Sequence, residues 1–191
     1  YELTRDLHME AAESAYLSGN YEESGRLIDI TLNYATTPLD RAKALEIQIV
    51  SYSIRNRLKE SIDTLIKAIG ELGITISREP SKKDVILSFI KTKITLLGKP
   101  PEKLKAKKMT DPKMLEFTKI AGSKGDIIFQ ENANLSLVLS MKMIRVLARY
   151  GNVPSYPEGY IFYSMLLAVM GDIKSSFQYM NLAREMTRES E

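Results

Sequence analysis

The chain has 191 residues, of which 44% are hydrophobic and 27% are charged, and this balance is typical of a folded globular protein and excludes a disordered segment. It contains no cysteine, which excludes a disulfide framework, a thiolate metal site and a cysteine nucleophile, and which favours a cytoplasmic location. Its longest uncharged run is too short to span about 30 Å of hydrocarbon, so no membrane span is expected.

The net charge of +3 is unevenly distributed. Residues 80–125 carry twelve lysines and four acidic side chains, whereas residues 1–79 carry nine basic and thirteen acidic ones. Lysine is a hydrated point charge and lacks the planar fork with which arginine binds phosphate. The lysine-rich segment therefore predicts a solvated face. Binding of nucleic acid or of an acidic partner through residues 80–125 is the alternative.

The spacing of apolar residues predicts an all-α fold of about nine helices. Three starts carry strong capping signals: Thr37-Pro38, Ser81 with Asp84, and Asp111-Pro112. The predicted helices cover, in chain order, about residues 2–18, 21–35, 38–54, 58–72, 82–97, 112–129, 135–150, 159–170 and 173–185.

Three turns share one design, because Gly19, Asn56 and Gly171 each separate two apolar helices. The first two are 37 residues apart, close to the period of about 34 residues in tetratricopeptide repeats. A single helix pair cannot bury both of its faces, so such pairs stack on one another. The pattern predicts a tetratricopeptide-like right-handed superhelix of antiparallel helix pairs that exposes a groove.

The middle of the chain interrupts this array. Residues 74–80 are β-branched and end in proline, which predicts an extended segment, and residues 99–108 are rich in proline and lysine, which predicts a mobile loop. We expect region 80–125 to be the least regular and most protease-sensitive part. The chain is predicted to be one repeat domain over residues 1–191, with two regular hairpins in 1–73, an irregular lysine-rich middle in 74–130 and C-terminal helices in 131–191.

The first residue is Tyr1 and the last residues follow a charged helical pattern, which indicates a piece excised from a longer protein. Two groups of side chains are candidates for contacting a partner. The helix over residues 135–150 is apolar except for a narrow strip, which faces water or a carboxylate partner: Lys142, Arg145 and Arg149. Tyrosines at the start of the last hairpin could line a ligand pocket, although such residues are also typical of the core: Tyr156, Tyr160 and Tyr163.

No catalytic, cofactor or metal site is predicted. The glycine-rich residues 122–126 lack the spacing of a phosphate-binding loop, and no buried strand precedes them. The only histidine, His8, lies on an apolar helix and is followed by Met9, which favours a structural role over that of a phosphoacceptor. One histidine also cannot form a nitrogen-rich zinc site. An enzyme is therefore the weakest of the three functional hypotheses.

Several segments of the chain carry a resemblance to a known family, and two of them contain residues that are not tetratricopeptide features, Thr110–Pro112 and Arg149–Asn152. They are, in chain order, Leu7–Glu23, Thr37–Ala42, Leu72–Ile76 with Pro80-Ser81, Met109–Pro112, Asn134–Asn152 and Val169–Asp172. In this order they resemble the helical region of very large signalling proteins. In that family a serine/threonine-kinase-like domain and a P-loop ATPase of the signal-transducing type precede this region, and a GAF domain and a sensor histidine kinase usually follow it.

The resemblance implies a tetratricopeptide-like regulatory segment that connects or senses and that contains no catalytic residue. We therefore expect a non-catalytic interaction and relay module, which binds a partner protein, a neighbouring domain or a small effector in a concave groove. Effector control would require two packings of the stack that differ in ligand affinity. The alternative is the binding of nucleic acid or of an acidic partner through residues 80–125, which rising salt would weaken steeply.

Overall fold

The computed structural model describes residues 2–105, 107–123, 125–153 and 156–190. Two residues used in the sequence analysis lie outside these ranges: Tyr1, the start of the predicted excised piece, and Lys124, in the glycine-rich residues 122–126. Within them the protein is all-helical and has no strand, apart from an isolated parallel bridge between Lys108 and Asn152. The predicted all-α class is therefore confirmed.

Eleven helical segments occur in the described ranges, two more than the sequence predicted. One extra segment is α6, a single turn that begins at Pro101 in the lysine-rich loop, and the other arises because the predicted helix 112–129 breaks after Gly122. The segments are α1 (Glu2–Leu17), α2 (Tyr21–Tyr34), α3 (Pro38–Ile54), α4 (Leu58–Glu71), α5 (Lys82–Leu96), α6 (Pro101–Lys105), α7 (Pro112–Gly122), α8 (Gly125–Glu131), α9 (Ala133–Tyr150), α10 (Glu158–Val169) and α11 (Ile173–Ser190).

The three predicted helix starts are confirmed by side-chain caps. The Thr37 hydroxyl accepts the Asp40 amide at 3.1 Å, and the Asp111 carboxylate accepts two amides of the first turn of α7. At the start of α5 the Ser81 hydroxyl accepts the Asp84 amide while the Asp84 carboxylate accepts the Ser81 amide. Each cap satisfies amides that have no partner within the helix, which fixes where α3, α5 and α7 begin.

The three turns that the sequence grouped together have the same backbone geometry. Gly19, Asn56 and Gly171 have φ values of +82°, +55° and +82°. In each turn this residue donates its amide to the carbonyl three residues back, and the next residue donates to the carbonyl five residues back. This pair of bonds is the Schellman motif, and it reverses the chain within two residues.

The chain divides into two compact units, Tyr1–Thr75 and Ile76–Glu191. In the first unit α1 packs on α2, α3 packs on α4, and α3 also contacts both helices of the first pair. Its core is aliphatic and includes Ile28, Leu45, Ile49, Ile62, Leu65 and Ile69. The single repeat domain predicted over residues 1–191 stays a prediction.

The second unit is built around α9. This helix contacts α5, α7, α8 and α10, while α10 packs on α11 and α6 contacts α11. The predicted extended segment 74–80, which contains the boundary after Thr75, is non-helical, and its burial alternates: Ile74 and Ile76 are buried, and Thr75 and Ser77 are exposed.

Candidate binding face on helices α5 and α9

Helix α9 is enclosed by its neighbours, as its composition predicted. Because four other helices contact it, apolar side chains are buried on most of its circumference. Its buried residues are Leu135, Ser136, Leu139, Ser140, Met141, Met143, Ile144, Val146 and Leu147. The polar strip of Lys142, Arg145 and Arg149 lies beside α5; Lys142 and Arg145 are half-buried, and Arg149 is exposed.

Arg145 joins α9 to α5. Its Nη1 donates to the Ser88 carbonyl oxygen at 2.9 Å, to the Ser88 Oγ at 3.0 Å and to the Thr92 Oγ1 at 2.7 Å. The Thr92 hydroxyl is also within 3.3 Å of the Met141 carbonyl oxygen. Helix α5 therefore turns a polar strip towards α9, and the Arg145 guanidinium satisfies that strip with charge-assisted hydrogen bonds.

The polar strip of α9 and Lys91 of α5 form a group of positive charges, which we call the cation cluster: Lys91, Lys142, Arg145 and Arg149. Burial lowers the pKa of the Lys142 ammonium, and the positive charges of its three neighbours lower it further. Burial and Arg149 likewise lower the pKa of Arg145. Among the residues that the structure describes, no carboxylate forms an ion pair with any member of the cluster.

Two further lysines lie at the C-terminal end of α9. The Lys99 Nζ donates to the Ala148 carbonyl oxygen at 3.2 Å, and the Lys107 Nζ donates to the Arg149 carbonyl oxygen at 2.8 Å. These carbonyls have no partner within the helix, and the C-terminal end of a helix dipole attracts cations. The sequence did not predict this use of lysines, because nothing local in residues 99–108 shows which helix end they meet.

The lysine-rich loop is attached to the start of the last hairpin through Asn152. The Asn152 amide donates to the Lys107 carbonyl oxygen at 2.6 Å, and the Met109 amide donates to the Asn152 carbonyl oxygen at 3.0 Å. The Asn152 Nδ2 also donates to the Leu104 carbonyl oxygen. Composition predicted a mobile loop, and these tertiary contacts, which composition cannot show, hold its described residues in place.

Gly151 makes this attachment possible. Its φ is +117°, and a Cβ atom there would lie 2.7 Å from the Lys107 carbonyl oxygen and 2.7 Å from backbone atoms of Lys108. Only glycine lets the two backbones approach this closely. The end of the Asn134–Asn152 segment, one of those that carry the family resemblance, therefore has a structural role.

The candidate tyrosines lie mostly in the core. Tyr160 and Tyr163 are 0% and 1% exposed, and the Tyr160 hydroxyl donates to the Asn152 Oδ1. Their rings lie against the Tyr179 ring, stacked at 6.2 Å and edge-on at 5.0 Å, and burial raises the pKa of both phenols. Tyr156 is half-buried. This placement fits the alternative that the sequence left open, in which Tyr160 and Tyr163 are core residues.

Two titratable side chains outside the cation cluster, His8 and Glu158, are partly buried. His8 is half-buried and lies in a groove of about 350 Å³ with Arg5, whose guanidinium pairs with Asp6 and Asp40. The Glu158 carboxylate has one buried oxygen with no hydrogen-bond partner in the described part of the chain, and burial raises its pKa. Over the same residues, no three histidine, aspartate or glutamate side chains are grouped closely enough to hold a metal ion.

None of the described helices is both long and apolar enough to cross a membrane. Comparison of the chain with protein-family models, with curated proteins and with solved structures gave no match in any of the three searches.

Proposed function

We propose that the chain is a non-catalytic interaction module whose cation cluster binds an acidic segment of a partner protein or of a neighbouring domain. The observation that carries this proposal is that four cations from two helices lie close together and that none of them forms an ion pair with a carboxylate of the described residues. Like charges at helix-neighbour spacing destabilise the free protein, and partial burial adds to that cost. The negative charges of an acidic ligand offset both costs, so the ligand should bind more tightly here than at an isolated surface lysine.

A short acidic segment fits the cluster better than nucleic acid does. The Arg145 guanidinium already serves Ser88 and Thr92, which leaves Lys91, Lys142 and Arg149 to face a ligand. Nucleic-acid sites commonly neutralise about six to ten phosphates along an extended basic surface. Three available cations match a few carboxylates instead. Binding of nucleic acid through residues 80–125 remains the competing hypothesis, and the experiment below includes it.

The arrangement of the first unit supports a tetratricopeptide-like stack. The same Schellman turn recurs at Gly19 and Asn56, and α3 contacts both α1 and α2, as successive helix pairs do in such repeats. The family resemblance supports a cytoplasmic regulatory relay inside a multidomain signalling ATPase and kinase. In such a relay, the acidic segment would bind one packing of the helices better than another and so shift their populations.

The test measures fluorescence anisotropy of a labelled glutamate-rich peptide of about ten residues with the full chain, at low and rising salt. The variant combines K91A, K142A and R149A, and the matched control K43A, K59A and K67A removes the same number of positive charges from the first unit. Three contacts of about 0.5 kcal/mol each predict a loss of about tenfold for the first variant. The control should bind as the unaltered chain does.

Equal losses in the two variants would show that net charge alone attracts the peptide, and the proposed site would then be wrong. A single-stranded RNA that binds more tightly than the peptide, with a steeper dependence on salt, would favour the nucleic-acid hypothesis.

A further inference from the structure

Helix α5 turns its most apolar face to solvent. Five large aliphatic side chains on this face are 48% to 81% exposed, whereas the buried residues of the helix are Ser88, Thr92 and Leu96. We call the exposed set, which ends at the C-cap residue, the α5 stripe: Ile86, Leu87, Ile90, Ile94 and Leu97. A helix that packs on a protein normally buries its apolar face and exposes its polar one, so α5 is reversed.

The hydrogen bonds to α9 fix this reversed orientation. Rotating α5 to bury the stripe would remove Ser88 and Thr92 from the Arg145 guanidinium and leave that half-buried cation without its three acceptors. An unpaired cation in such a setting is costly, and so are buried hydroxyls without partners. The stripe is therefore a stable surface of the folded unit.

Lysines border the stripe. At about 100° per residue, Lys91 lies on one side of it, Lys82 and Lys93 lie on the other, and Lys83 lies at its N-terminal end. Lys93 pairs with Asp172 at 3.1 Å, whereas Lys91 belongs to the cation cluster. The stripe and the cluster are consequently neighbouring parts of one surface, apolar along its centre and positive along the Lys91 edge.

The geometry points to an amphipathic helix of a partner protein as the ligand of this surface. Leucine-like side chains of that helix would contact the α5 stripe, and its carboxylates would pair with the cations on the Lys91 edge. This inference rests on the proposed function. The stripe runs over residues 86–97, about 17 Å at 1.5 Å per residue, which is about three helical turns. That length matches the anchors of a bound helix at i, i+3 or i+4, and i+7.

Other occupants fit less well. A second copy of α5 would place lysines against lysines, which disfavours pairing. Nucleic-acid bases stack on aromatic and arginine planes, so five aliphatic side chains would have no use in binding them. An anionic bilayer could accept the stripe, but a flexible carboxylate side chain reaches the half-buried Lys142 more readily than a flat lipid surface does.

The experiment measures anisotropy of three labelled peptides of about 15 residues with the full chain. The first has leucines at i, i+4, i+7 and i+11 and glutamates along one edge, the second replaces the leucines with glutamines, and the third replaces the glutamates with lysines. The protein variants are I90S/I94S and, as a matched control, I54S, which changes an exposed isoleucine of α3. Circular dichroism and urea unfolding check that each variant is folded.

We expect the leucine–glutamate peptide to bind at least about tenfold more tightly than the glutamine–glutamate peptide to the unaltered chain. I90S/I94S should remove this difference and leave binding of the glutamine–glutamate peptide unchanged, and I54S should keep the difference. The first comparison needs no variant, so a misfolded I90S/I94S protein would not prevent the test.

The outcomes separate the two proposals. If neither glutamate peptide binds more tightly than the lysine peptide, the proposed function is wrong. If both glutamate peptides bind equally through the cation cluster, only the helix-docking inference is overturned. The inference is also overturned if I90S/I94S abolishes sedimentation with vesicles of phosphatidylserine and phosphatidylcholine, or if it converts a dimer of the chain into a monomer.

Discussion

Replacing Arg145 with methionine should loosen α5 from the second unit. Methionine keeps the apolar stem of the side chain but removes the donor that reaches the Ser88 carbonyl, the Ser88 hydroxyl and the Thr92 hydroxyl. Hydrogen bonds to a charged group contribute about 1.5–3 kcal/mol each when single partners are removed. The total effect is smaller than three such bonds, for two reasons.

The first reason is that Thr92 keeps a partner, because its hydroxyl donates to the Ser88 carbonyl oxygen at 2.8 Å. All three acceptors lose the Arg145 donor, but only the Ser88 hydroxyl is then left without another hydrogen bond to the described residues. The second reason is that the variant removes a half-buried positive charge close to Arg149 and Lys142, which relieves repulsion and desolvation. We therefore expect Arg145→Met to lower the free energy of unfolding by about 2 kcal/mol.

The matched control is Arg149→Met, one helical turn further along α9. The Arg149 side chain is exposed and forms no hydrogen bond or ion pair with the described residues, so its loss should change stability by less than about 0.5 kcal/mol. Urea unfolding measures both variants, and hydrogen exchange of the α5 amides shows where Arg145→Met acts. If both variants unfold at the same urea concentration, the Arg145 contacts do not hold α5, and the argument for its fixed orientation fails.

Three further pairs of measurements test other parts of the structure by urea unfolding. Ser61→Ala removes a buried hydroxyl that forms hydrogen bonds with α3 and should lower the free energy of unfolding by about 1 kcal/mol. Ser24→Ala removes a buried hydroxyl that has no partner among the described residues, so it should leave stability unchanged or raise it. Gly151→Ala places a Cβ against the backbone of Lys107 and Lys108, so it should lower the free energy of unfolding by about 3 kcal/mol and speed proteolysis of residues 99–108. Gly19→Ala, whose added Cβ would meet no other atom, should lower it by only about 1 kcal/mol. Because burial raises the pKa of Glu158, the folded protein binds this proton more tightly than the unfolded chain does and loses stability as pH rises between the unfolded and folded pKa values. Glu158→Gln should therefore stabilise the protein at pH 7 and have no effect at pH 3. Equal effects within any pair, or a stabilisation by Glu158→Gln that persists at low pH, would contradict the corresponding reasoning.

The helices and their turns could be predicted from the sequence because their determinants are local. The capping residues Thr37, Ser81 and Asp111 act on amides two or three residues away, and the Schellman turns at Gly19 and Gly171 close within six residues. The break after α7 was foreseeable for the same reason, since glycine weakens a helix wherever it stands. Helix α6 was missed because proline and lysine alone indicate an open loop.

The candidate site could be predicted only in part. The strip on α9 was visible in the sequence, because Lys142, Arg145 and Arg149 recur at helix spacing in an otherwise apolar helix. Their neighbours come from distant parts of the chain: Lys91 from α5 and Lys107 from the loop. No periodicity links residues that are some fifty positions apart, so the lysine-rich segment showed that positive charge was present but not where it would gather.

The orientation of α5 could not be predicted from its own sequence. Helix α5 contains more aliphatic residues than serines and threonines, so the hydrophobic pattern of the sequence assigns Ile86, Ile90 and Ile94 to the core. The structure shows the reverse because a guanidinium on the facing helix competes for the contact, and three hydrogen bonds to Ser88 and Thr92 outweigh the aliphatic contacts that the other face could make.

The same competition links the stability of the second unit to its proposed binding. The cation cluster and the exposed α5 stripe both raise the free energy of the unbound protein, the first by repulsion and the second by contact of aliphatic surface with water. A ligand that covers the stripe and supplies carboxylates removes both costs, so it should raise the unfolding free energy by RT ln(1 + [L]/Kd). Arg149→Met relieves repulsion without a ligand, and should therefore keep or slightly raise the stability of the free protein while weakening its binding. A residue that only maintained the fold would change these two quantities in the same direction, so opposite signs for this one variant would indicate that the exposed cation serves a ligand.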